Sequence, residues 1–303
     1  MTAPEAAPQK GAIYDLGYAR YAGERRPPST LWRAIMRQQL AHSWKTVWRF
    51  KLPLFAAIVT TIVCGVVMYF KQSDVMREFQ RAGAPVSWLD GIVVYGYEVY
   101  RISAFMVTMT IAAPLVARDE QTGAFTFYFA RPVRARDYVI GKLAAVAILM
   151  GAIFIAGPFL LAVYRMALAR DLGELSELWP WVPRSLVIGG LATAAYTALP
   201  LAISSLANRR TLALGLWAAY YIVGVSMVAA IGVAAWAPLM AIDPAQAVKT
   251  LVVELFDLQV ARGNHMPPLW AAIASLVAQS AVAVVILFQR VRAQSLGSVG
   301  GAS

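Results

Sequence analysis

Charge is scarce in this sequence, and the residues that hold metals and disulfides are almost missing. Of its 303 residues, 14% are charged and 59% are hydrophobic, whereas soluble domains carry about 25% charged residues. One cysteine, Cys64, lies in an apolar run, which excludes an internal disulfide and a cysteine metal cluster. Two histidines, His42 and His265, leave little for a metal or haem site. The composition therefore favours a membrane protein.

The chain also lacks the motifs of several other classes. It contains no Gly-x-x-x-x-Gly-Lys-[Ser/Thr] loop for ATP phosphates, because Gly141-Lys142 is followed by Leu143 and has no upstream glycine at the required spacing. Residues 1–30 have no apolar core, so they predict a cytosolic tail rather than a signal peptide. Neither a cofactor nor ATP hydrolysis is expected of this chain itself.

Six apolar runs are long enough to cross a bilayer as helices, which takes about 20 residues each. They cover 52–70, 92–117, 143–164, 185–207, 211–240 and 269–288. The sequence therefore predicts an all-α polytopic membrane protein, with a six-span transmembrane domain over 51–290 and a C-terminal tail over 291–303.

Basic residues are distributed unevenly among the segments that join these runs. With the N-terminus inside, the inner segments hold 18 of the 27 Lys and Arg residues and six of the 16 Asp and Glu residues. Because Lys and Arg near span ends stay in the cytoplasm, both termini are predicted to be cytoplasmic. The net charge of +11 then reports membrane orientation. It does not indicate nucleic-acid binding, which would need a basic soluble domain.

Apolar residues recur at helical spacing over 31–50, just ahead of the first run. The tryptophans and cations of this segment include Trp32, Trp44, Trp48, Arg33 and Arg37. The pattern predicts an amphipathic helix on the cytoplasmic face, its tryptophans in the interface and its cations towards anionic lipid headgroups. A plain lead-in to the first span is the alternative. A similar stripe over 243–263 predicts an interfacial helix at the outer leaflet before the last span.

The segment between the second and third runs, residues 118–142, is called the 2–3 loop. It opens with an acidic pair, passes through a glycine and an aromatic cluster, and closes with Arg-Pro and then Gly-Lys. These residues are Asp119, Glu120, Gly123, Phe125, Phe127, Tyr128, Arg131, Pro132, Gly141 and Lys142. The order resembles the type-2 ATP-binding-cassette exporter permease family, whose loop runs from an acidic pair through a glycine and an apolar stretch to a proline, an aromatic residue and Gly-Lys. The six spans and both amphipathic helices also match that family.

The resemblance implies a permease subunit of an exporter in the bacterial inner membrane. In that family the 2–3 loop carries a coupling helix, formed here by the motif residues just given, which docks on a separate ATPase subunit that binds ATP and Mg. Two permeases, identical or related, surround a central pathway together with two ATPases. Judged from the residues alone, two interpretations stay open. The aromatic side chains are either anchors for a partner's pocket or residents of the membrane interface.

Glu98 and Arg101 are the ionisable residues that fall within the runs. They lie three residues apart on one helix face and can pair, and ionisable groups at membrane depth are candidates for function. The neighbouring tyrosines Tyr95, Tyr97 and Tyr100 also suit an aromatic belt at the outer rim. The pair is therefore either a structural pair at the rim or a gate or substrate contact.

Other function classes fit less of the sequence. An intramembrane enzyme needs a metal, a nucleophile or an acid-base pair at span depth, and the runs carry no carboxylate pair and no His-x-x-x-His. An ion-coupled secondary transporter needs several buried charges, and only the second run has any. A membrane anchor or assembly factor stays open, because packing alone would explain the runs. The apolar walls favour outward movement of lipid-like, peptide or hydrophobic drug cargo.

Overall fold

The computed structural model describes most of the chain. The described residues are 30–45, 47–73, 78, 91–129, 133–234, 236–258 and 266–300. Of these residues 88% are helical and none lies in a strand, so the all-α prediction is confirmed. Three predictions fall outside the described residues: nearly all of the tail 1–30, the Arg131-Pro132 part of the motif, and the outer helix beyond residue 258.

Within the described residues, six helical segments are long and apolar enough to cross a membrane, and they are called spans 1 to 6. In order, they are Val47–Gln72, Ile92–Gln121, Ala135–Ala167, Leu172–Ser205, Arg210–Ala234 and Leu269–Leu296. The helices are Leu31–Trp44, Leu52–Gln72, Ile92–Val107, Leu115–Gln121, Ala124–Phe129, Ala135–Phe154, Ala156–Ala167, Leu172–Leu178, Trp181–Ser205, Arg210–Ala218, Val225–Ala234, Pro244–Leu255 and Leu269–Gly300. Single π-helical segments occur at Val47–Lys51, Thr108–Ala112 and Ala219–Gly224, and a 3₁₀ helix at Ala237–Ile242.

Most span ends differ from the predicted run ends; span 1 begins at Val47 instead of 52, and span 4 begins at Leu172 instead of 185. Span 3 begins inside the 2–3 loop at Ala135, where the Asp137 carboxylate accepts a hydrogen bond from the Arg134 N–H at 3.2 Å and starts the helix. The described part of span 5 ends at Ala234, and a separate 3₁₀ helix begins at Ala237 with Pro238 in its first turn, a position that tolerates the missing N–H of proline. The last helix continues to Gly300. Hydropathy marks where a helix leaves the membrane, and a helix can extend beyond that point.

Spans 2 and 4 form the centre of the bundle. In their most apolar stretches 56% and 61% of the residues are buried, against 28% in spans 1 and 6 and 24% in span 5. Large apolar side chains such as Phe55 and Ile62 on span 1 and Ile222 and Met227 on span 5 remain exposed. Faces of this kind suit lipid or another subunit.

Span 2 is broken at Pro114, and span 4 closes the break. Because proline has no N–H and clashes with the preceding turn, the helix opens into the π-helical segment Thr108–Ala112 and restarts after the proline. A restarted helix leaves its first N–H groups without partners in an apolar setting. The buried Ser204 hydroxyl accepts hydrogen bonds from the N–H groups of Val116 and Ala117 at 3.0 and 3.1 Å.

Replacing Ser204 with Ala removes this acceptor, and we expect the free energy of unfolding to fall by about 1–3 kcal/mol. Ser205→Ala is the matched control, because the Ser205 hydroxyl is also buried but donates to the Ala202 carbonyl of its own helix at 2.7 Å. Thermal unfolding of the two variants in detergent measures the difference. Equal melting temperatures for the two variants would contradict the cap.

Candidate functional site

The 2–3 loop is helical over most of its described length. The last turn of span 2 leads through a tight turn into the helix Ala124–Phe129, and span 3 follows. Gly123 makes the turn with a φ of +66°, a left-handed conformation that glycine adopts without steric cost. Its N–H donates to the Glu120 carbonyl at 3.0 Å, which closes the end of the preceding helix. The short helix predicted for this loop is therefore present.

An ion pair between Asp119 and Lys142 joins the two ends of the loop. The carboxylate Oδ2 and the ammonium Nζ lie 2.8 Å apart, and the side chains are 16% and 4% exposed. The Tyr138 hydroxyl donates to the same oxygen at 2.8 Å, and the Lys142 ammonium lies 5.4 Å from the centre of the Tyr138 ring. A buried charge is tolerated only with its partner and hydrogen bonds in place. These three side chains act as one unit, called the loop clamp.

The N-terminal helix Leu31–Trp44 packs against the loop clamp. Lys142 donates a second hydrogen bond to Oε1 of Gln39 at 3.4 Å. Gly141 is tightly enclosed, since a Cβ there would lie 2.8 Å from the Trp32 carbonyl oxygen and 2.9 Å from the Ile35 Cβ. The Gly-Lys pair thus has two roles. The glycine lets the helix approach span 3 closely, and the lysine supplies the polar link.

The exposed side of the N-terminal helix carries Trp44, Arg33 and Arg37, whereas the predicted Trp48 lies at the start of span 1. Trp44 and Trp48 are 52% and 75% exposed, and Arg33 and Arg37 are exposed as well. Trp32 is half-buried, with the Arg33 guanidinium 5.4 Å from its ring centre. The helix ends at Trp44, and Val47–Lys51 already belongs to span 1. This is the side-chain distribution of a helix at a membrane interface.

The three aromatic residues of the loop helix differ in their exposure. Phe125 is 7% exposed, with its ring centre 5.2 Å from that of Tyr138. Tyr128 is half-buried, and its ring centre lies 5.4 Å from that of Tyr138. Burial is the main cause that raises the pKa of Tyr128, and the nearby Asp119 carboxylate raises it further. Phe127 is 76% exposed. Residues three apart share a helix face, so Phe125 and Tyr128 pack inward together. Of the three, Phe127 is therefore the side chain that is open to a partner.

The loop also contacts the start of span 5. Oε1 of Gln121 accepts a hydrogen bond from the Arg210 N–H at 3.2 Å. The loop and its adjoining helix ends thus contact four other elements. The loop clamp joins them to span 3 and the N-terminal helix, the Ser204 cap to span 4, and the Gln121 bond to span 5.

Glu98 and Arg101 pair, as their spacing predicts, and the arginine also reaches other spans. Glu98 Oε2 lies 2.8 Å from Nε and 2.7 Å from Nη2 of Arg101. Nη1 donates to the Tyr221 hydroxyl at 3.1 Å, and the Tyr196 and Tyr221 hydroxyls lie 3.0 Å apart. The ion pair is thus part of a polar contact among spans 2, 4 and 5. Of the neighbouring tyrosines, Tyr97 and Tyr100 are buried in the bundle, and Tyr95 is exposed.

A comparison with known protein families gives the family of this chain. A family model described as ABC-2 family transporter protein matches residues 42–293. The chain belongs to this family. It is a multi-pass membrane protein and a permease subunit of an ABC transporter, a class of membrane component that works with an ABC ATPase and is not itself the ATPase. A comparison with curated proteins found no match.

Sequence reasoning identified the charged members of the permease's loop clamp and missed Tyr138, and it also missed Gln39 and Ser204, which hold the clamp and the adjoining end of span 2. Tyr138 had a signal, because it is the aromatic residue that precedes Gly-Lys in the family pattern. Gln39 and Ser204 had none, since a glutamine in an amphipathic helix and a serine in an apolar run are unremarkable. Tyr221 likewise meets Arg101 only through packing, 120 residues along the chain.

Breaking the loop clamp from one side should destabilise the permease. Lys142→Met leaves the buried Asp119 carboxylate without its counter-charge, and we expect the free energy of unfolding to fall by about 3 kcal/mol. The double variant Asp119→Asn/Lys142→Met removes both charges and keeps an acceptor for Tyr138, so it should be more stable than the single variant. Thermal unfolding in detergent compares them.

The control for the clamp experiment is Arg136→Gln, which removes an exposed cation from the same loop and should shift the free energy of unfolding by less than about 0.5 kcal/mol. A double variant no more stable than Lys142→Met would show that the ion pair is not what holds the loop.

Proposed function

We propose that this permease is the membrane half of an ATP-driven exporter, and that the helix Ala124–Phe129 docks on a separate ATPase. The loop clamp supports this proposal. A loop that only connected spans 2 and 3 would not need a buried ion pair and contacts with the N-terminal helix and span 5. A loop that transmits force must be rigid and attached to the elements that it moves.

The exposed face of the short helix has the composition of a docking surface. Phe127 is 76% exposed, and the cations Arg134 and Arg136 beyond the helix are exposed too. An aromatic anchor surrounded by charge is typical of residues that dominate binding energy. On this proposal the ATP and Mg sites belong to the partner.

The complete transporter is proposed to hold two copies of the ATPase and a second permease, identical or related, in the bacterial inner membrane. The exposed apolar faces of spans 1 and 5 supply surface for that second permease. Movement of cargo is outward, and apolar span walls favour a lipid-like, peptide or hydrophobic drug substrate. The distribution of Lys and Arg supports a cytoplasmic position for both termini and for the 2–3 loop.

Cysteine labelling tests the orientation. Background labelling should be low, because the single native cysteine, Cys64, is buried. Thr126→Cys lies on the exposed face of the loop helix, and Ser176→Cys lies exposed in the helix Leu172–Leu178 at the start of span 4. In intact cells we expect a membrane-impermeant maleimide to label Ser176→Cys only, and both variants after lysis. Labelling of Thr126→Cys from outside the cell would reverse the orientation and remove the docking proposal.

Phe127→Ala tests the docking itself. We expect permease-stimulated ATP hydrolysis by the co-purified ATPase to fall by roughly tenfold, as for loss of an interface anchor, with an unchanged melting temperature because the side chain is exposed. Phe125→Ala should instead lower the melting temperature, since that ring is packed on Tyr138.

The matched control for Phe127→Ala is Trp179→Ala, which removes a 60% exposed aromatic side chain near the start of span 4. It should leave ATP hydrolysis unchanged. Full stimulation by the Phe127→Ala variant would exclude this helix as the docking element.

A further inference from the structure

A cleft of about 360 Å³ lies between the N-terminal helix, span 2 and the start of span 5. Four basic side chains from four different elements line it: His42, Arg49, Arg118 and Arg210. The family motif and the loop clamp use none of them. The cleft is therefore distinct from the docking helix, and it borders the support of the loop at Gln39 and Arg210.

Two of these guanidinium groups converge on one imidazole nitrogen. Nε2 of His42 lies 3.2 Å from Nη1 of Arg49 and 3.4 Å from Nη1 of Arg118. Because both arginines can only donate, this geometry requires a neutral imidazole that accepts at Nε2. Burial, and then the charges of Arg118, Arg49, Lys45 and Lys142, lower the pKa of His42, which favours that neutral form.

The cleft gathers positive charge without a counter-charge. No acidic residue is among its lining residues in the described part of the chain. None of the ion pairs formed by the described residues involves Arg49, Arg118 or Arg210. In the adjoining groove Asp119 is present, but it is already paired with Lys142. Like charges held this close repel one another, so the arrangement favours an anion that bridges them.

The rest of the lining is apolar and extends into the spans. Met109, Ile111 and Leu115 come from span 2 and Leu214 from span 5. Thr110 donates to the Arg49 carbonyl at 3.1 Å and holds the start of span 1 against span 2 at this point. A small soluble anion would gain no favourable contact from the apolar wall. A cationic end that continues into an apolar wall fits an amphiphile with an anionic headgroup.

We propose that this cleft binds the phosphate headgroup of an anionic phospholipid, held by Arg49, Arg118 and Arg210, with its acyl chains against Met109 and Leu214. Arginine forks match phosphate oxygens bidentately. Binding places a negative charge between the two guanidinium groups that now meet at His42. The proposal depends only on the spans lying in a membrane, and it stands or falls separately from docking on an ATPase.

The test is lipid retention by the purified full-length protein, measured by native mass spectrometry after exchange into mixed phosphatidylglycerol and phosphatidylcholine. The wild-type protein should retain phosphatidylglycerol preferentially. Arg118→Gln and Arg210→Gln should each reduce its retention by about tenfold, as expected for a lost charge-assisted contact. Arg118→Lys keeps the charge without the planar guanidinium, so its retention of phosphatidylglycerol should lie between that of the wild-type protein and that of Arg118→Gln. This order separates lipid binding from folding.

The control is Arg290→Gln, which removes an exposed cation near the end of span 6 that does not line the cleft. It should change retention by less than about twofold. An equal loss in Arg290→Gln and Arg118→Gln would mean a diffuse surface attraction and overturn the site.

His42 supplies an independent readout, because the chain has only two histidines and His265→Gln leaves one ring signal for NMR. Addition of phosphatidylglycerol should raise the pKa of His42, since the headgroup charge offsets that of Arg49 and Arg118. Phosphatidylcholine should not. If inorganic phosphate alone raises this pKa as far as the lipid does, the cleft is a soluble-anion site and the lipid proposal is wrong.

Discussion

The ion pair between Asp119 and Lys142 is the constraint on which the rest of the 2–3 loop depends. One charge lies at the end of span 2 and the other at the start of span 3, and both are largely buried. A charge in such surroundings must keep its partner, so the two helix ends are held together and the residues between them must fold into a compact turn and helix. Tyr138 and Gln39 then provide the remaining hydrogen bonds, and the second of these draws the N-terminal helix onto span 3.

The same requirement decides how the spans contact one another elsewhere. Apolar packing alone does not select a partner for an apolar helix in lipid, whereas an unpaired N–H or hydroxyl in an apolar setting is costly. Ser204 is positioned against span 2 because the break at Pro114 exposes two N–H groups. Arg101 brings spans 2, 4 and 5 together because its guanidinium must be bonded, and Tyr221 supplies the acceptor.

Arg118 and Asp119 are neighbours in sequence, but their side chains lie in different environments. Successive residues of a helix point about 100° apart, so Asp119 turns towards span 3 and closes the loop clamp, while Arg118 turns towards the N-terminal helix and meets His42. The first direction produces a neutralised, buried contact. The second leaves positive charge in an open cleft, which is the basis of the proposed anionic-lipid site.

The sequence by itself determined the six spans, the uneven distribution of basic residues and the family-like order of the 2–3 loop, because run length, charge and motif order are properties of consecutive residues. It also paired Glu98 with Arg101, whose three-residue spacing is local. Only the tertiary structure decided that Phe125 is buried while Phe127 is exposed, that Ser204 caps span 2, and that His42 meets Arg118. The partners in those last two contacts lie 76 to 88 residues apart, and they meet only because spans of similar composition pack in one particular order.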